Sequence, residues 1–225
     1  MLEIIYSDKH VVAIRKPVGM PSQPDPTGAE DAMTLTARLL AERGEPSALW
    51  LVHRLDRVVG GILVFARTKK AAAVLSELFA SHDLEKCYLA VTEGIAAEGE
   101  LCDLIYKDAA KSKAFIVDRK RAGVKEARLI SRSLSLADSE LGARNLVEVK
   151  LLTGRFHQIR AQLSSRATPL VGDGKYGSRD KGARTPALYA YRLAFRLNGR
   201  DYELRSLPAA DEYPWSLFDL TEILK

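Results

Sequence analysis

Cysteine is scarce in this chain of 225 residues, and its scarcity excludes several classes of protein. Only Cys87 and Cys102 are present, so neither a disulfide framework nor a cysteine-rich metal site is plausible. The four histidines show none of the spacings that zinc ligands share. We therefore expect a protein without a metal, and two cysteines fit the reducing conditions of the cytoplasm.

Long hydrophobic runs are also missing. No stretch approaches the ~18 apolar residues that a membrane helix needs, and the N-terminus carries acidic residues and no cleavage site of a signal peptide. Hydrophobic residues make up 47% of the chain and charged residues 28%, as in ordinary soluble enzymes. No clear domain boundary appears, so the sequence predicts a single cytoplasmic domain over residues 1–225, with no membrane contact and with a monomer as the default state.

Charge is present in excess of one sign and is unevenly distributed. The net charge is +5, and residues 107–132 hold nine basic side chains against three acidic ones. Residues 153–205 hold eleven against four, whereas residues 77–103 hold seven acids and one lysine. Such segregation predicts a basic face for phosphate backbones, although a solvated lysine-rich surface explains the same counts.

The hydrophobic pattern predicts an α+β fold with a large mixed, mostly antiparallel sheet flanked by helices and loops. Helices are expected over 33–43, 69–81 and 155–165, with Thr34 or Asp31 capping the first and Thr68 the second. Strands are expected over 11–15, 86–91, 114–117, 127–136 and 145–152. A closing hairpin, with strands 188–197 and 202–207, is expected around Asn198-Gly199.

One stretch combines charge with apolar strands, Val52-His53-Arg54-Leu55-Asp56-Arg57. We expect a short strand over Leu51–Asp56, a turn at Gly60-Gly61, and then a buried strand in the apolar run that ends at Ala66. The flanking arginines favour an ionised Asp56, which suits a nucleophile or a base. A structural ion pair that fixes a loop explains the same spacing.

Other catalytic motifs fit this chain poorly. His53-Arg54-Leu55-Asp56 invites comparison with the protein-kinase catalytic loop, but it has an extra leucine and no glycine-rich phosphate loop or D-F-G follows. The glycine pairs lack the register of nucleotide-binding loops, and no G-x-S-x-G motif occurs. A second segment, Thr153-Gly154-Arg155-Phe156-His157-Gln158-Ile159-Arg160, places Arg160 off an apolar helix face, where it could pair with a distant carboxylate or remain a surface arginine.

These two segments resemble the RluA-type RNA pseudouridine synthases. His53-Arg54-Leu55-Asp56-Arg57 with Gly61-Ile62-Leu63-Val64-Phe65-Ala66 matches one long motif, and Thr153-Gly154-Arg155-x-His157-Gln158-Ile159-Arg160 matches another. Shorter matches lie in the family's order between and after them: Lys86-x-Tyr88, Lys125-Glu126-Ala127, Gly172-Asp173-x-Lys175-Tyr176-Gly177 and Ala187-Leu188-Tyr189-Ala190. The resemblance spans residues 4 to about 207.

The resemblance implies the pseudouridine synthase fold and the cofactor-free isomerisation of uridine in a tRNA or rRNA stem-loop, with the target base flipped out of its stack. It implies that Asp56 is the catalytic carboxylate, that Arg160 pairs with it, and that Tyr88 stacks on the target base. The expected RNA-binding residues are Arg54, which could fill the vacated stack, with Arg57, Lys86, Arg155 and His157.

Two other classes of function stay open at this stage. An RNA-binding or chaperone module with a vestigial synthase site would share the basic charge, although Asp56, Tyr88 and Arg160 are all present. A glycoside hydrolase also uses carboxylates at a glycosidic bond, but it needs a second carboxylate, and no motif supplies one beside Asp56.

Overall fold

The computed structural model describes residues 2–225, which contain eleven strands and four α-helices. The strands are β1 (Glu3–Ser7), β2 (Val11–Lys16), β3 (Trp50–Leu51), β4 (Gly60–Ala66), β5 (Glu85–Glu93), β6 (Gly99–Asp108), β7 (Lys113–Val117), β8 (Val124–Ser139), β9 (Gly142–Leu151), β10 (Leu188–Leu197) and β11 (Arg200–Arg205). The helices are α1 (Ala32–Glu42), α2 (Lys69–Ser81), α3 (Gln158–Ser164) and α4 (Leu220–Ile223), and short 3₁₀ turns cover Gly174–Tyr176 and Trp215–Leu217. The predicted α+β class is confirmed.

The first of two compact units contains residues 2–86 and Ala190–Ser206. Its strands follow the order β1, β2, β4, β10, with β3 beside β4 and β11 beside β10. β2 is antiparallel to both β1 and β4, and β10 is antiparallel to β11. Its core combines apolar residues of these strands with Ala71 and Leu75 of α2. All seven residues of β4 are buried, as the apolar run predicts.

The glycine pair lies inside β4, so the prediction that it turns the chain is wrong. Gly61 stands opposite Lys16 in the register of β2 and β4 and has a φ of 116°. A Cβ atom there would lie 2.3 Å from the carbonyl oxygen of Ala190. Glycine is therefore required by close backbone packing as well as by the positive φ.

The second unit contains Cys87–Tyr189 and Leu207–Lys225. Its strands follow the order β5, β9, β8, β6, β7. β8 is antiparallel to β6 and β9, and β7 is antiparallel to β6. The pairing of β8 with β9 explains why β8 continues to Ser139 and β9 begins at Gly142, each beyond its predicted bound. Each unit is compact by itself, and the single domain expected over residues 1–225 stays a prediction.

The helix ends follow from side chains that cap them. Asp31 accepts a hydrogen bond from Thr34 N at 3.0 Å, and Thr68 accepts one from Ala71 N at 3.1 Å. α2 therefore begins at the predicted residue, and α1 begins one residue before the predicted start, directly after the predicted cap Asp31. The third helix begins at Gln158, three residues later than predicted, because His157 adopts a left-handed conformation with φ of 51°. Within residues 2–225, no helix has the length and apolar character needed to cross a membrane.

Candidate active site

Asp56 lies in a tight turn, and the strand predicted to reach it ends earlier. β3 stops at Leu51, and residues 52–59 form a loop. The Asp56 carbonyl accepts a hydrogen bond from Val59 N at 3.0 Å, which closes the turn. Asp56 is half-buried, whereas Arg57 on its C-terminal side is exposed. The carboxylate therefore lies on a turn and not at the end of a strand.

The backbone on both sides of this turn is fixed by the segment before α1. The Ser22 hydroxyl accepts from Leu55 N at 3.1 Å and donates to Leu55 O at 2.9 Å. Gly19 N donates to Arg57 O at 2.8 Å, and Arg57 Nε donates back to Gly19 O at 2.8 Å. Four hydrogen bonds thus hold the two neighbours of Asp56, so its position is set by the fold and not by the local sequence.

Lys16 supplies a buried positive charge to the same turn. Its side chain is completely buried, and Nζ donates to the carbonyl oxygens of Pro17 (3.0 Å), Met20 (2.8 Å) and Arg57 (3.4 Å). Burial lowers the pKa of Lys16 to about 8, and the negative charge of Asp56 opposes this shift. The ammonium and the Asp56 carboxylate therefore stabilise each other's charged forms.

His53 is a structural anchor for the loop. It stacks on Phe79 with ring centroids 4.3 Å apart, and its Nε2 accepts a hydrogen bond from Val64 N at 3.0 Å. Burial, assisted by the charge of Lys86, lowers the pKa of His53 to about 3. His53 is therefore neutral at physiological pH and joins the loop to both β4 and α2.

The expected RNA-binding residues of the first unit differ in their availability. Arg54 is exposed, and it makes no hydrogen bond or ion pair within residues 2–225. Arg57 is exposed but uses Nε on Gly19. Lys86 is half-buried, with Nζ 5.5 Å from the centroid of the Phe79 ring, and burial lowers its pKa. Arg54 is the best placed of the three to reach a ligand, and their RNA-binding roles stay predictions.

In the second unit, Arg160 is held by a carboxylate that sequence reasoning did not assign to it. Nε lies 2.7 Å from Asp173 Oδ2, and Nη2 lies 2.8 Å from Asp173 Oδ1. Both side chains are at most 5% exposed. The guanidinium also lies 4.9 Å from the centroid of the Tyr176 ring. The description of Arg160 as a surface arginine of an amphipathic helix is therefore wrong, because every residue of α3 from Gln158 to Leu163 is buried.

His157 is fixed just before this helix and carries no charge. Its ring stacks on Phe156 at a centroid distance of 3.8 Å, and Nδ1 lies 2.9 Å from the Tyr176 hydroxyl. Burial and three nearby cations, chiefly Arg160, lower the pKa of His157 to about 3. If His157 contacts RNA, as we predict, it does so as a neutral hydrogen-bonding group and not as a cation.

Tyr88 and Arg155 complete the set of predicted residues. Tyr88 is half-buried on β5, between the buried Cys87 and Leu89. Arg155 Nε donates to Glu126 O at 2.8 Å, which leaves part of its guanidinium for other partners. Asp56 belongs to the first unit and both Tyr88 and Arg160 belong to the second. The pairing of Asp56 with Arg160 and the stacking of Tyr88 on a base stay predictions.

Sequence reasoning missed three supporting residues, Lys16, Ser22 and Asp173. Lys16 and Ser22 contact positions more than 30 residues away, and no local pattern signals such contacts. Asp173 had a signal, because it lies in the Gly172-to-Gly177 segment that also carries Tyr176. Within residues 2–225, no group of three or more His, Cys, Asp or Glu side chains is arranged to hold a metal ion.

Comparison with protein families places the chain in a known group. Residues 10–165 match the family model described as RNA pseudouridylate synthase. This range contains the loop of Asp56, the strand of Tyr88 and the helix of Arg160. The match therefore covers more than two thirds of the chain and all the residues predicted to be catalytic.

Curated relatives carry related names. An uncharacterised RNA pseudouridine synthase of Bacillus subtilis is 32% identical over 85% of this chain and 63% of its own length. The ribosomal large subunit pseudouridine synthase D of Pseudomonas aeruginosa is 32% identical over 79% of this chain and 54% of its own. The tRNA pseudouridine synthase C of Vibrio cholerae is 30% identical over 79% of this chain and 75% of its own. The chain thus spans less than two thirds of the first two relatives.

A solved structure agrees with these matches. The human RNA pseudouridylate synthase domain containing 4 superposes with a TM-score of 0.74 and 26% identity, over 92% of this chain and 88% of that one. The predicted pseudouridine synthase fold is therefore confirmed. From the sequence motifs, the family match and this fold together, the chain belongs to the RNA pseudouridylate synthase family, with relatives of the RluA type.

Proposed function

We propose that this chain isomerises uridine to pseudouridine in structured RNA and that Asp56 is its catalytic carboxylate. The observation that carries the proposal is the fixed turn that holds Asp56, which lies within the family match. Four hydrogen bonds hold its neighbours Leu55 and Arg57. A carboxylate held in this way loses little conformational entropy when it meets a substrate, and such preorganisation favours catalysis.

The reaction needs a group of this kind. The bond between N1 of uracil and C1′ of the ribose breaks, the uracil rotates, and C5 bonds to C1′. C5 then loses its hydrogen as a proton, and N1 ends with a proton. An ionised Asp56 can attack the sugar as a nucleophile, or it can remove a sugar proton and support an elimination. Both routes remain within the proposal.

Arg160 and Tyr88 take supporting roles in this proposal. The guanidinium of Arg160 is fixed by Asp173 and Tyr176, so its orientation does not depend on the ligand. We assign to it the pairing with Asp56 that the family motif implies. Tyr88 stacks on the target base, a contact worth about 1–3 kcal/mol and tolerant of sequence.

The substrate is a uridine in a folded RNA. A stacked base must leave its helix to reach a carboxylate, which costs a few kcal/mol. Arg54 is exposed and makes no hydrogen bond or ion pair among residues 2–225, so it suits the space that the base vacates. Arg57, Lys86, Arg155 and His157 are the other proposed RNA contacts. One relative is named for ribosomal RNA and another for tRNA, so we propose a stem-loop from either class.

The test measures tritium release. Purified protein is incubated with tRNA and rRNA transcripts in which uridine carries tritium at C5. We expect release from at least one transcript with the natural chain and none with Asp56→Asn, while the variant still binds the RNA. Normal release by Asp56→Asn would contradict the role of Asp56. No release by the natural chain, with RNA binding retained, would favour an RNA-binding module with a vestigial site.

A further inference from the structure

The segment Ser178–Arg184 in the second unit, here called the 178–184 loop, separates its charges by side. Ser178 and Asp180 are buried, at 6% and 4% exposure. Arg179, Lys181 and Arg184 are exposed. The only acidic residue of the loop therefore points inward, and the three cations point to solvent.

The inward side is fixed by a carboxylate at the end of β5. Glu93 accepts hydrogen bonds from the Ser178 hydroxyl, from Arg179 N at 3.1 Å and from Asp180 N at 3.2 Å. Three consecutive residues are thus tied to one side chain. The backbone that carries Arg179 cannot move without breaking these bonds.

A buried ion pair fixes the middle of the loop. Asp180 accepts from Arg144 Nη2 at 2.7 Å, from the Tyr213 hydroxyl and from Gly182 N at 2.8 Å. The Arg144 and Asp180 side chains are 2% and 1% exposed. Breaking a buried pair of this kind costs several kcal/mol, because the remaining charge loses its partner.

Two glycines are also closely packed, Gly182 within the loop and Gly172 before it. A Cβ atom at Gly182 would lie 2.9 Å from the Tyr213 ring, and one at Gly172 would lie 2.4 Å from Thr185 O. Neither position has room for a side chain. The loop is therefore a defined surface, even though its outward residues are long and polar.

The exposed cations of this loop differ from other arginines of the same unit. Arg128, Arg132 and Arg166 each form an ion pair with a nearby carboxylate. Among residues 2–225, none of the three loop cations forms an ion pair, although Asp211 and Glu212 lie beside Tyr213 in the sequence. Their charge is thus available for an anion from outside.

We propose that the 178–184 loop is a preformed surface that binds the sugar–phosphate backbone of RNA. The guanidinium of an arginine fits a phosphate with two hydrogen bonds, and a lysine adds a point charge. The exposed positions carry no large apolar group, which favours a polyanion over a lipid bilayer. Because the backbone is already ordered, little entropy is lost on binding. The inference rests on the proposed function for the identity of the polyanion.

The experiment measures the dissociation constant for an unmodified tRNA transcript against salt concentration. The triple variant Arg179→Gln, Lys181→Gln, Arg184→Gln should lower the slope of log K against log salt by about 2–3, because each lost phosphate contact removes about 0.7–0.9. The matched control is Arg43→Gln, Lys69→Gln, Lys70→Gln, three exposed cations of the first unit. It loses the same net charge, and its slope should change by less than about 1.

Equal changes in the two triple variants would overturn the proposal, because net charge alone would explain the binding. An unchanged slope in the loop variant would overturn it as well. A third variant, Tyr213→Phe, keeps all three cations and removes one anchor of Asp180. It should keep the natural slope and bind more weakly; unchanged affinity would contradict the preformed state of the loop.

The outcome is separable from that of the proposed function. Binding is measured without turnover, so a loop effect in a protein that releases no tritium would support the surface and contradict the isomerase. Tritium release by the natural chain, with no loop effect on binding, would contradict the surface alone. Thermal unfolding of each variant shows whether it has folded.

Discussion

Asp173 holds Arg160 by two parallel hydrogen bonds in a buried ion pair, with Nε 2.7 Å from Oδ2 and Nη2 2.8 Å from Oδ1. A guanidinium bound at two points keeps its plane as well as its position. The residue that the family motif assigns to the catalytic centre is therefore placed by a second acidic residue, thirteen positions along the chain.

Removing the charge of Asp173 should destabilise the protein strongly. Asp173→Asn removes the carboxylate that Arg160 binds at two points inside the protein, and breaking a buried ion pair of this kind costs about 3–5 kcal/mol in the free energy of unfolding. The control is Glu100→Gln, which breaks the exposed Arg128–Glu100 pair and should cost less than about 1 kcal/mol. Urea unfolding measures both. Equal effects would show that the buried pair contributes no more than a surface pair.

Turnover should fall above pH 8 because of Lys16. Burial holds the pKa of Lys16 at about 8, with Asp56 opposing the shift, so the ammonium beside the Asp56 turn is lost there. Unfolding does not cause this fall, because the unfolded lysine, with a pKa of 10.5, binds more protons between pH 8 and 10.5. The contribution of Lys16 to the free energy of unfolding therefore rises with pH in this window.

The control for this prediction is Lys16→Met, measured as kcat/KM from pH 6 to 9.5 with the same RNA. The variant should be slower at pH 7 and should lack the extra decline above pH 8. Titration of the RNA itself affects both proteins equally and cancels in the comparison. An identical dependence of kcat/KM on pH for the two proteins would show that Lys16 does not cause the decline above pH 8.

Acid should destabilise the protein partly through His53. The pKa of His53 is lowered from 6.5 to about 3 by burial and by Lys86. The unfolded state therefore binds more protons between these values, and the free energy of unfolding falls as pH decreases through the window. The contribution is up to about 1.4 kcal/mol for each pH unit.

His53→Gln keeps a hydrogen-bond acceptor for Val64 N but cannot take up a proton. It should lose less stability than the natural chain between pH 6.5 and 4, although it is less stable at pH 7 without the Phe79 stack. If the free energy of unfolding changed with pH in the same way for the natural chain and for His53→Gln, His53 would not be the source of the acid destabilisation.

Gly61→Ala should be one of the most damaging small substitutions in the first unit. The added Cβ would lie 2.3 Å from Ala190 O, at a φ of 116°, so two strands must separate. We expect a loss of about 3 kcal/mol or more. Gly44→Ala has a positive φ but nothing within 4 Å of the new atom, and should cost about 1–2 kcal/mol. Differential scanning calorimetry compares the two.

Local patterns predicted those elements whose ends depend on near neighbours. The caps at Asp31 and Thr68, the buried strand β4 and the hairpin at Asn198-Gly199 follow from propensity and hydrophobic period. The hairpin is confirmed by φ values of 51° and 79° at its two turn residues. In these regions the residues that determine where an element begins and ends lie within or next to that element.

The predictions that were wrong concern segments whose structure depends on contacts distant in sequence. The loop around Asp56 is shaped by Lys16, Gly19 and Ser22, 33 to 41 positions earlier. Helix α3 was predicted to be amphipathic, but polar partners that no period can signal surround Arg160 and Gln162. The resemblance supplied the candidate residues, whereas only the structure supplied what holds them.

The burial of α3 from Gln158 to Leu163 determines how defects in this protein will become visible. Seven residues are too few for a stable isolated helix, so α3 depends on its contacts with the rest of the unit. Hydrogen bonds from its polar side chains fix the orientation of the helix about its own axis. Gln158 contacts Thr153, and Gln162 contacts Asp103. Breaking one of these bonds can turn the helix about its axis while its backbone bonds remain. Circular dichroism would then report an intact helix, whereas the direction of the Arg160 guanidinium, and with it the chemistry, would already have changed.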